Sequence, residues 1–276
     1  MPVISTNTAA NSALRYLNLN SSDQSSSLAK LASGSRITKA SDDAAGLAIG
    51  TQLKSDVSVL NQAATNSSQA NSILQTADGG LSSISDILVR MKALATEAAS
   101  GNVTDTQRTG DIDTEYQQLL NEITGITSST RYANQSLLDG TSTFASGVNF
   151  LVGTSSSDMI SVTINAVTLS GLSLSSTSLT TASAALALID TLTTAIETVT
   201  QDRASVGALE SRFNYRSQSI STNSENTSAA ESTMLDADVA AEKSKLSSAD
   251  VKSQASIAAL SQASKMPQEL LTLLQS

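Results

Sequence analysis

The chain has 276 residues, a formal net charge of −9, 15% charged residues and 3% aromatic residues. It contains no Cys and no His, which excludes thiolate or imidazole metal sites, Ser-His triads and Cys-His nucleophile pairs, so most familiar active sites are unavailable. We expect no enzymatic activity, no cofactor and no bound metal. The acidic balance argues against nucleic acid or an anionic membrane as the main partner.

The N-terminal stretch MPVISTNTAANSALRYL lacks the basic start and the continuous apolar core of a secretory signal. No continuous run approaches the roughly 18 apolar residues that a membrane span needs. We therefore expect neither membrane insertion nor export by the conventional secretory route.

A weak heptad pattern in residues 1–40 predicts an N-terminal helix. Its seam positions step by three and four residues. They are Leu14, Leu17, Ser21, Gln24, Leu28 and Leu31. Because polar residues interrupt this seam, we expect the segment to be loose in the monomer and to become ordered only against other chains.

The stretch SRITKASDDAAGLAIGTQLK, residues 35–54, marks the start of the next helix. The Ser41 hydroxyl can accept a hydrogen bond from a free N–H, and the carboxylates of Asp42 and Asp43 favour the positive end of the helix dipole. A pair of catalytic carboxylates is the alternative, but it needs a partner acid or base that nearby residues do not supply. We therefore predict a helix cap.

Residues 41–140 carry the strongest pattern, which predicts one long and one shorter helix. From Leu53 to Ala98 the seam positions alternate steps of four and three residues. Gly79 and Gly80 interrupt this helix, and we expect a slight bend there. The shorter helix has four large residues on one face: Ile112, Tyr116, Leu119 and Ile123.

Residues 141–183 differ in kind, because they contain no Lys or Arg and one acidic residue. The stretch VNFLVGTSSSDMISVTINAV alternates apolar and polar residues around a Gly/Ser turn, which predicts a β-hairpin or two. The stretch LSGLSLSSTSLTTAS that follows is typical of a polar loop or a weak strand. Residues 184–235 return to heptad spacing and predict a second long helix, which shares a bundle core with the helices of residues 41–140.

Residues 236–276 predict a C-terminal helix with another weak seam. Its positions are Ile257, Leu260, Ser264, Pro267, Leu271 and Leu274. We expect this segment, too, to become ordered only against other chains. Taken together, the patterns predict a mainly α fold: an elongated antiparallel bundle of long helices with coiled-coil terminal helices and a small β-hairpin region.

Two regions carry a resemblance to a known family. Residues 31–102, from LASGSRITKASDD to ALATEAASGN, resemble the N-terminal conserved region of bacterial flagellins. The stretch ALALIDTLTTAIETVTQDRASVGALESRFN, together with ENTSAAESTMLDADVAAEKSK and the residues after it, is similar to their C-terminal region. The match is dense, in order and present at both ends, so it covers nearly everything outside the central segment.

The resemblance implies a short flagellin, which is a structural subunit that polymerises into the extracellular flagellar filament for motility. It implies that residues 1–40 and 236–276 pair as an inner core domain, that the central bundle forms the outer wall, and that the hairpin segment caps it. Copies that stack head to tail with a rotation that never closes give a helical fibre. Further implied partners are the flagellar export apparatus, an export chaperone, and the hook-junction and cap proteins.

The implied polymerisation seams are the large apolar residues of the two terminal helices. They are Leu14, Leu17, Leu28, Leu31, Ile257, Leu260, Leu271 and Leu274.

In many flagellins one stretch of the long helix contacts an animal Toll-like receptor and also packs subunits together. Its equivalent here, VRMKALATE, keeps Arg90 and Leu94, and Glu115 on the next helix matches a further receptor-contacting acid. The resemblance implies receptor contact or inter-subunit contact at these three residues. Departures at Val89 and Lys92, among others, favour inter-subunit packing.

A second function class stays open: a cell-surface flagellin-like binding protein or adhesin for polysaccharide or a host surface. Exposed amides and hydroxyls can hydrogen-bond sugars. Few aromatics are available for a dedicated sugar site. Saturable binding of glycans by a truncation that cannot assemble would distinguish this function from filament formation.

Overall fold

A computed structural model describes residues 7–274, and describes side-chain environments through residue 267. In chain order the elements are α1 (Thr8–Ser33), α2 (Ala44–Ala99), α3 (Asp105–Gln107), a π-helical turn (Arg108–Ile112), α4 (Asp113–Ser129), β1 (Arg131–Tyr132), β2 (Gln135–Ser136), α5 (Thr143–Ser146), β3 (Val148–Leu151), β4 (Met159–Val162), α6 (Ala182–Leu235) and α7 (Val239–Leu274). Long helices dominate, and two short antiparallel hairpins accompany them, which confirms the predicted mainly α class.

The chain divides into two compact units. Unit 1 comprises Met1–Asp56 and Asn226–Ser276, and unit 2 comprises Val57–Glu225. We predicted segment boundaries at residues 40 and 235, whereas this division falls inside α2 and α6. The reason is local: the first turns of α2 and the last turn of α6 pack together, so closely that a Cβ on Gly50 would overlap the side chain of Leu235.

In unit 1, the link between α1 and α2 is tied to the link between α6 and α7. The N–H of Arg36 donates to the carbonyl of Leu235 at 2.6 Å, and Ser35 pairs with Asp236 in an antiparallel bridge. Gly34 ends α1 with a φ of +70°, a left-handed conformation that glycine adopts without strain. Within unit 1, the residues after α1 and those before α7 therefore form one hydrogen-bonded junction.

The predicted cap before α2 is present, but Asp43 rather than Ser41 provides it. The Asp43 carboxylate accepts from the N–H of Gly46 at 2.8 Å, and its carbonyl accepts from the N–H of Leu47. Asp42 instead closes the preceding turn by accepting from the N–H groups of Thr38 and Lys39. These hydrogen bonds to the charged form lower the pKa of Asp42.

Unit 2 is built around the apolar faces of α2, α4 and α6. All the seam positions predicted for α2 between Leu53 and Ala98 are buried or half-buried. Tyr116 from α4 and Phe213 from α6 are fully buried beside them, and Phe213 meets Phe150 of β3 edge to face with 5.9 Å between ring centroids. The predicted long helices and their core-facing residues are therefore confirmed.

The central segment belongs to this same core. Strands β3 and β4 form the predicted hairpin, with Val148 opposite Val162. The stretch after it forms turns rather than a strand, and three of its four leucines are buried in the core: Leu172, Leu174 and Leu179. The segment folds onto the helices because it is too short to bury an apolar core by itself.

The glycine pair in α2 does not break the helix, which runs through both residues. Gly79 faces open space. A Cβ on Gly80, in contrast, would lie 2.6 Å from Thr130 Oγ1 and 2.9 Å from Leu138 Cδ1. Gly80 therefore permits a close approach between α2 and the residues that flank the β1–β2 hairpin. This close approach explains the glycine at position 80 without the bend that we expected.

Among the described residues, α6 is the one helix that is long and apolar enough to cross a membrane by length and composition, with a mean hydropathy of 1.3 over 18 residues. No membrane span is expected from the sequence, because Asp190 and Glu197 interrupt the run of apolar residues in this helix. Leu188, Leu192 and Val199 of α6 are buried in the bundle core. We therefore interpret α6 as a core helix.

Candidate assembly surfaces

The terminal helices α1 and α7 pack against each other through narrow heptad seams. The residues of α1 that face inward recur at steps of three and four: Ala10, Ala13, Leu17, Asn20, Gln24, Ser27 and Leu31. Those of α7 do the same: Glu242, Leu246, Ala249, Ser253, Ser256, Leu260, Ala263 and Pro267. Most of these side chains are small or polar, so the seam contributes little apolar burial.

Hydrogen bonds between the helices supplement that thin apolar contact. Asn7 Nδ2 donates to the carbonyl of Ala263 at 2.7 Å, and Asn20 Nδ2 donates to Ser256 Oγ at 2.9 Å. Gln24 donates to Asp250, and the buried Ser27 hydroxyl donates to Glu242 at 2.8 Å. These contacts fix an antiparallel register at both ends and in the middle of the pair, because each polar group needs its own partner.

The expectation that both ends stay loose in a single chain is corrected by this pairing. One chain holds α1 and α7 as helices and joins them without a second copy. Apolar residues alone understate the contact between these two seams. Side-chain hydrogen bonds across the seam, each worth about 0.5–1.5 kcal/mol net, supply the additional contact.

Glu242 is the charged residue buried in this seam, and its surroundings stabilise the carboxylate. Lys245 Nζ donates to it at 3.0 Å, and Ser27 donates to its other oxygen. The hydrogen bond from Lys245, followed by that from Ser27, lowers the pKa of Glu242. The α1–α7 contact therefore includes a carboxyl that is ionised at neutral pH.

The predicted polymerisation seams divide into two groups. Leu17, Leu31 and Leu260 lie on the α1–α7 seam and are half-buried. Leu14, Leu28 and Ile257 lie on the neighbouring helical positions and are 45%, 57% and 55% exposed. The side chains of Leu271 and Leu274 lie outside the described residues.

The difference has a simple geometric reason. A helix with one neighbour buries a narrow stripe, so the small residues at one set of heptad positions face inward. The larger leucines one position further along the helix then form a second apolar stripe beside the first. Sequence reasoning missed other exposed apolar residues of the two terminal helices: Leu19, Val239, Val251 and Met266.

The three residues that the resemblance singles out on α2 and α4 do not share one environment. Arg90 and Glu115 form an ion pair at 2.7 Å, with side chains 55% and 42% exposed. Leu94 is 2% exposed and packs in the core of unit 2. The prediction that Leu94 makes an outside contact is therefore corrected, because its side chain faces the bundle interior.

Two further polar contacts hold the links of unit 2. The buried guanidinium of Arg108 donates to the carbonyl of Ala98 at 2.7 Å and to that of Val103 at 3.1 Å, and it also pairs with Asp105. It thus satisfies carbonyls where α2 ends. Within residues 7–274, no group of three or more carboxylates is placed to hold a metal ion.

Comparisons with known proteins identify what these helices resemble. The protein-family model of the bacterial flagellin N-terminal helical region matches residues 4–143. The family model of the bacterial flagellin C-terminal helical region matches residues 189–274. A flagellin of Halalkalibacterium halodurans is 34% identical over 99% of this chain and 100% of its own length. A flagellin of Bacillus subtilis is 33% identical over 99% of both chains.

Solved structures agree with this result. The crystal structure of Bacillus cereus flagellin superimposes with a TM-score of 0.52 at 31% identity, over 60% of this chain and 94% of that one. These relatives give the alternative of a glycan or host-surface binding protein no support.

Proposed function

Because the chain belongs to the bacterial flagellin family, whose members polymerise into the extracellular flagellar filament, we propose that its terminal helices contact other copies through their outer apolar face. The chain is a structural subunit and not an enzyme. The single observation that carries the proposal is the exposure of Leu14, Leu28 and Ile257 on helices whose inner seams are already paired.

Two physical arguments support an assembly role for this outer face. Large apolar side chains left at the surface gain roughly 1.5–3 kcal/mol each when they are fully buried. The inner seam of α1 and α7 is rich in small and polar residues, so pairing within one copy leaves most of this gain unrealised. Contacts with further copies bury the outer face, and we place the α1–α7 pair, residues 1–40 with 236–276, in the filament's inner core on this ground.

Other contacts follow from family membership and the exposed ion pair. Arg90 and Glu115 stay accessible on unit 2, so we include them among the contacts between copies. An animal receptor at this face is an alternative that the burial of Leu94 disfavours. The flagellar export apparatus, an export chaperone, and the hook-junction and cap proteins complete the proposed partners.

A pair of substitutions on α1 separates assembly from pairing. Leu28→Ser removes an outer apolar side chain, and Leu17→Ser removes one from the inner seam. We expect L28S to keep the monomer's helix content and to raise the critical concentration for elongation on sheared filament seeds by about tenfold, which is the effect of losing about 1.4 kcal/mol of contact. We expect L17S to reduce protection of the terminal helices from hydrogen exchange in the monomer.

Circular dichroism measures the helix content of each monomer, light scattering follows elongation on the seeds, and hydrogen exchange measures the protection of the terminal helices. Normal elongation by L28S would contradict the role of the outer face. Loss of helix in the L28S monomer would show instead that this residue holds the fold.

A further inference from the structure

One face of α6 in unit 2 carries side chains that stay outside the bundle core. Arg212, Tyr215 and Arg216 lie on this face, because residues three and four apart are neighbours on a helix. The opposite face carries Phe213 and Ile220, which are 0% and 2% exposed. Tyr215 is 76% exposed, so its ring contributes little to the core of its own chain.

The β3–β4 hairpin is fixed beside this face by Arg216. Its Nε donates to the carbonyl of Val152 at 2.9 Å, and its Nη2 lies 2.9 Å from Asp158 Oδ1. The contact of Phe150 with the buried Phe213 anchors the same hairpin on the side that faces the core. The position of the hairpin against α6 is therefore set before any partner arrives.

As a result, Met159 of β4 lies with Tyr215 along a shallow groove of about 450 Å³. Met159 is 47% exposed. Ser157 and Ser219 also line the groove. We name Met159, Arg212, Tyr215 and Arg216 the α6 patch.

The composition of the α6 patch is typical of a protein contact. Tyrosine, methionine and arginine are enriched at protein interfaces, and tyrosine and arginine are frequent anchors that bury large areas. A tyrosine has two side-chain torsions, so ordering it in a contact costs little conformational entropy. The patch thus combines an apolar anchor with a cationic rim on a preordered surface.

Charge indicates which partner the α6 patch fits. Arg90, Arg203 and Arg216 each pair with a carboxylate of unit 2. Among the described side chains, Arg212 forms no ion pair. Because the chain as a whole has a net charge of −9, the surface of another copy is predominantly acidic and complements this cation.

We propose that the α6 patch is a contact with a second copy of this chain, in which Tyr215 packs on the neighbour and Arg212 faces carboxylates of the neighbour. This inference rests on the filament function. Two patches facing each other would bring Arg212 against Arg212, so the contact joins the patch to a different, acidic face. Such a heterologous contact does not close, and this is the geometry that a helical polymer needs.

The experiment uses two substitutions in the patch, each with a matched control on α6. Tyr215→Ser is compared with Leu186→Ser, since Leu186 is also an apolar residue, 59% exposed. Arg212→Gln is compared with Gln201→Glu, because both changes make the net charge more negative by one and both positions are exposed. All four full-length chains are purified as monomers, and circular dichroism checks their helix content.

Each monomer is then added to sheared filament seeds of the unsubstituted chain, and elongation is followed by light scattering at several salt concentrations. We expect Y215S and R212Q to raise the critical concentration by about tenfold, the order expected for an interface anchor, while L186S and Q201E stay close to the unsubstituted chain. We also expect R212Q to make elongation less dependent on salt, because it removes an attraction that salt screens.

Elongation of Y215S and R212Q at the unsubstituted rate would overturn the proposal, and so would equal losses in the two controls. Failure of the unsubstituted chain to elongate on its own seeds is a distinct outcome. That outcome would contradict filament formation itself and, with it, any contact through the α6 patch.

Discussion

Substitution of the glycine pair in α2 tests how closely this helix packs in unit 2. Gly79 and Gly80 are adjacent in one helix, so replacing either with Ala gains about the same helix propensity, roughly 1 kcal/mol. Their surroundings differ. A Cβ on Gly79 meets nothing within 4 Å, whereas one on Gly80 would lie 2.6 Å from Thr130 Oγ1 and 3.0 Å from Thr130 Cγ2.

Ordinary contact between heavy atoms requires about 3.5–4.0 Å, so Gly80→Ala forces Thr130 or the backbone to move. Overpacking of this kind costs about 1–3 kcal/mol. We therefore expect Gly79→Ala to raise the free energy of unfolding by about 0.5–1 kcal/mol and Gly80→Ala to lower it by up to about 2 kcal/mol. The difference between the two variants, about 1–3 kcal/mol, isolates the packing because the propensity gain cancels.

Urea unfolding of the full chain, followed by circular dichroism, measures both changes as shifts of the midpoint at constant slope. Thr130→Ala removes two of the three atoms that the new methyl group meets, the third being Leu138 Cδ1, so G80A should cost less in the T130A background. Equal midpoint shifts for G79A and G80A, or an unchanged cost in the T130A background, would refute the close approach at Gly80.

Three further predictions concern buried polar groups. The lowered pKa of Glu242 means that its carboxylate stabilises the α1–α7 pair fully above about pH 4.3, the ordinary pKa of Glu, and that this stability is lost as the pH falls through the folded pKa. Hydrogen exchange should therefore show less protection of α1 at acid pH than at neutral pH, and Glu242→Gln should reduce this difference in protection. Burial raises the pKa of Tyr116 to about 12, so the folded chain loses stability as the pH rises from about 10 towards that value, and the late step of tyrosinate absorbance should disappear in Tyr116→Phe. Arg108→Ala leaves the carbonyls of Ala98 and Val103 without this donor and should lower the free energy of unfolding by about 1–3 kcal/mol. Arg108→Lys should recover only part of this loss, because one ammonium cannot replace the planar guanidinium. Urea unfolding measures both variants, and an unchanged midpoint for R108A would contradict the role of this side chain.

Sequence periodicity predicted α2 better than it predicted α1, although both carry heptads. Unit 2 packs its core against α2 over most of the helix, so its large apolar residues from Leu60 onward, apart from Val89, point towards neighbours. Helix α1 has one described neighbour and a wide apolar face, and the heptad pattern alone does not say which part of that face is inside. Leu14 and Leu28 were therefore grouped with Leu17 and Leu31, although the structure separates them.

The candidate surfaces show the same difference between what spacing along the sequence predicts and what packing determines. The resemblance placed Arg90, Leu94 and Glu115 together, and Arg90 and Leu94 are only about 40° apart on α2 because they are four residues apart. The edge of the buried face of α2 falls between them, and spacing along the sequence does not locate that edge. Arg90 and Glu115 meet at the surface, while Leu94 enters the core. The α6 patch escaped sequence reasoning because Met159 and Tyr215 lie far apart in the chain and come together only through the hairpin's contact with α6.

The long helices, the hairpin and the family could be predicted from the amino-acid sequence, because heptad spacing, alternation and local motifs are properties of neighbouring residues. The folded chain was needed to show which apolar residues face inward, why Gly80 must lack a side chain, and how polar groups complete the α1–α7 seam. The physical reason is that burial and hydrogen-bond pairing depend on residues brought together from distant parts of the chain, and those distances are set by packing rather than by spacing along it.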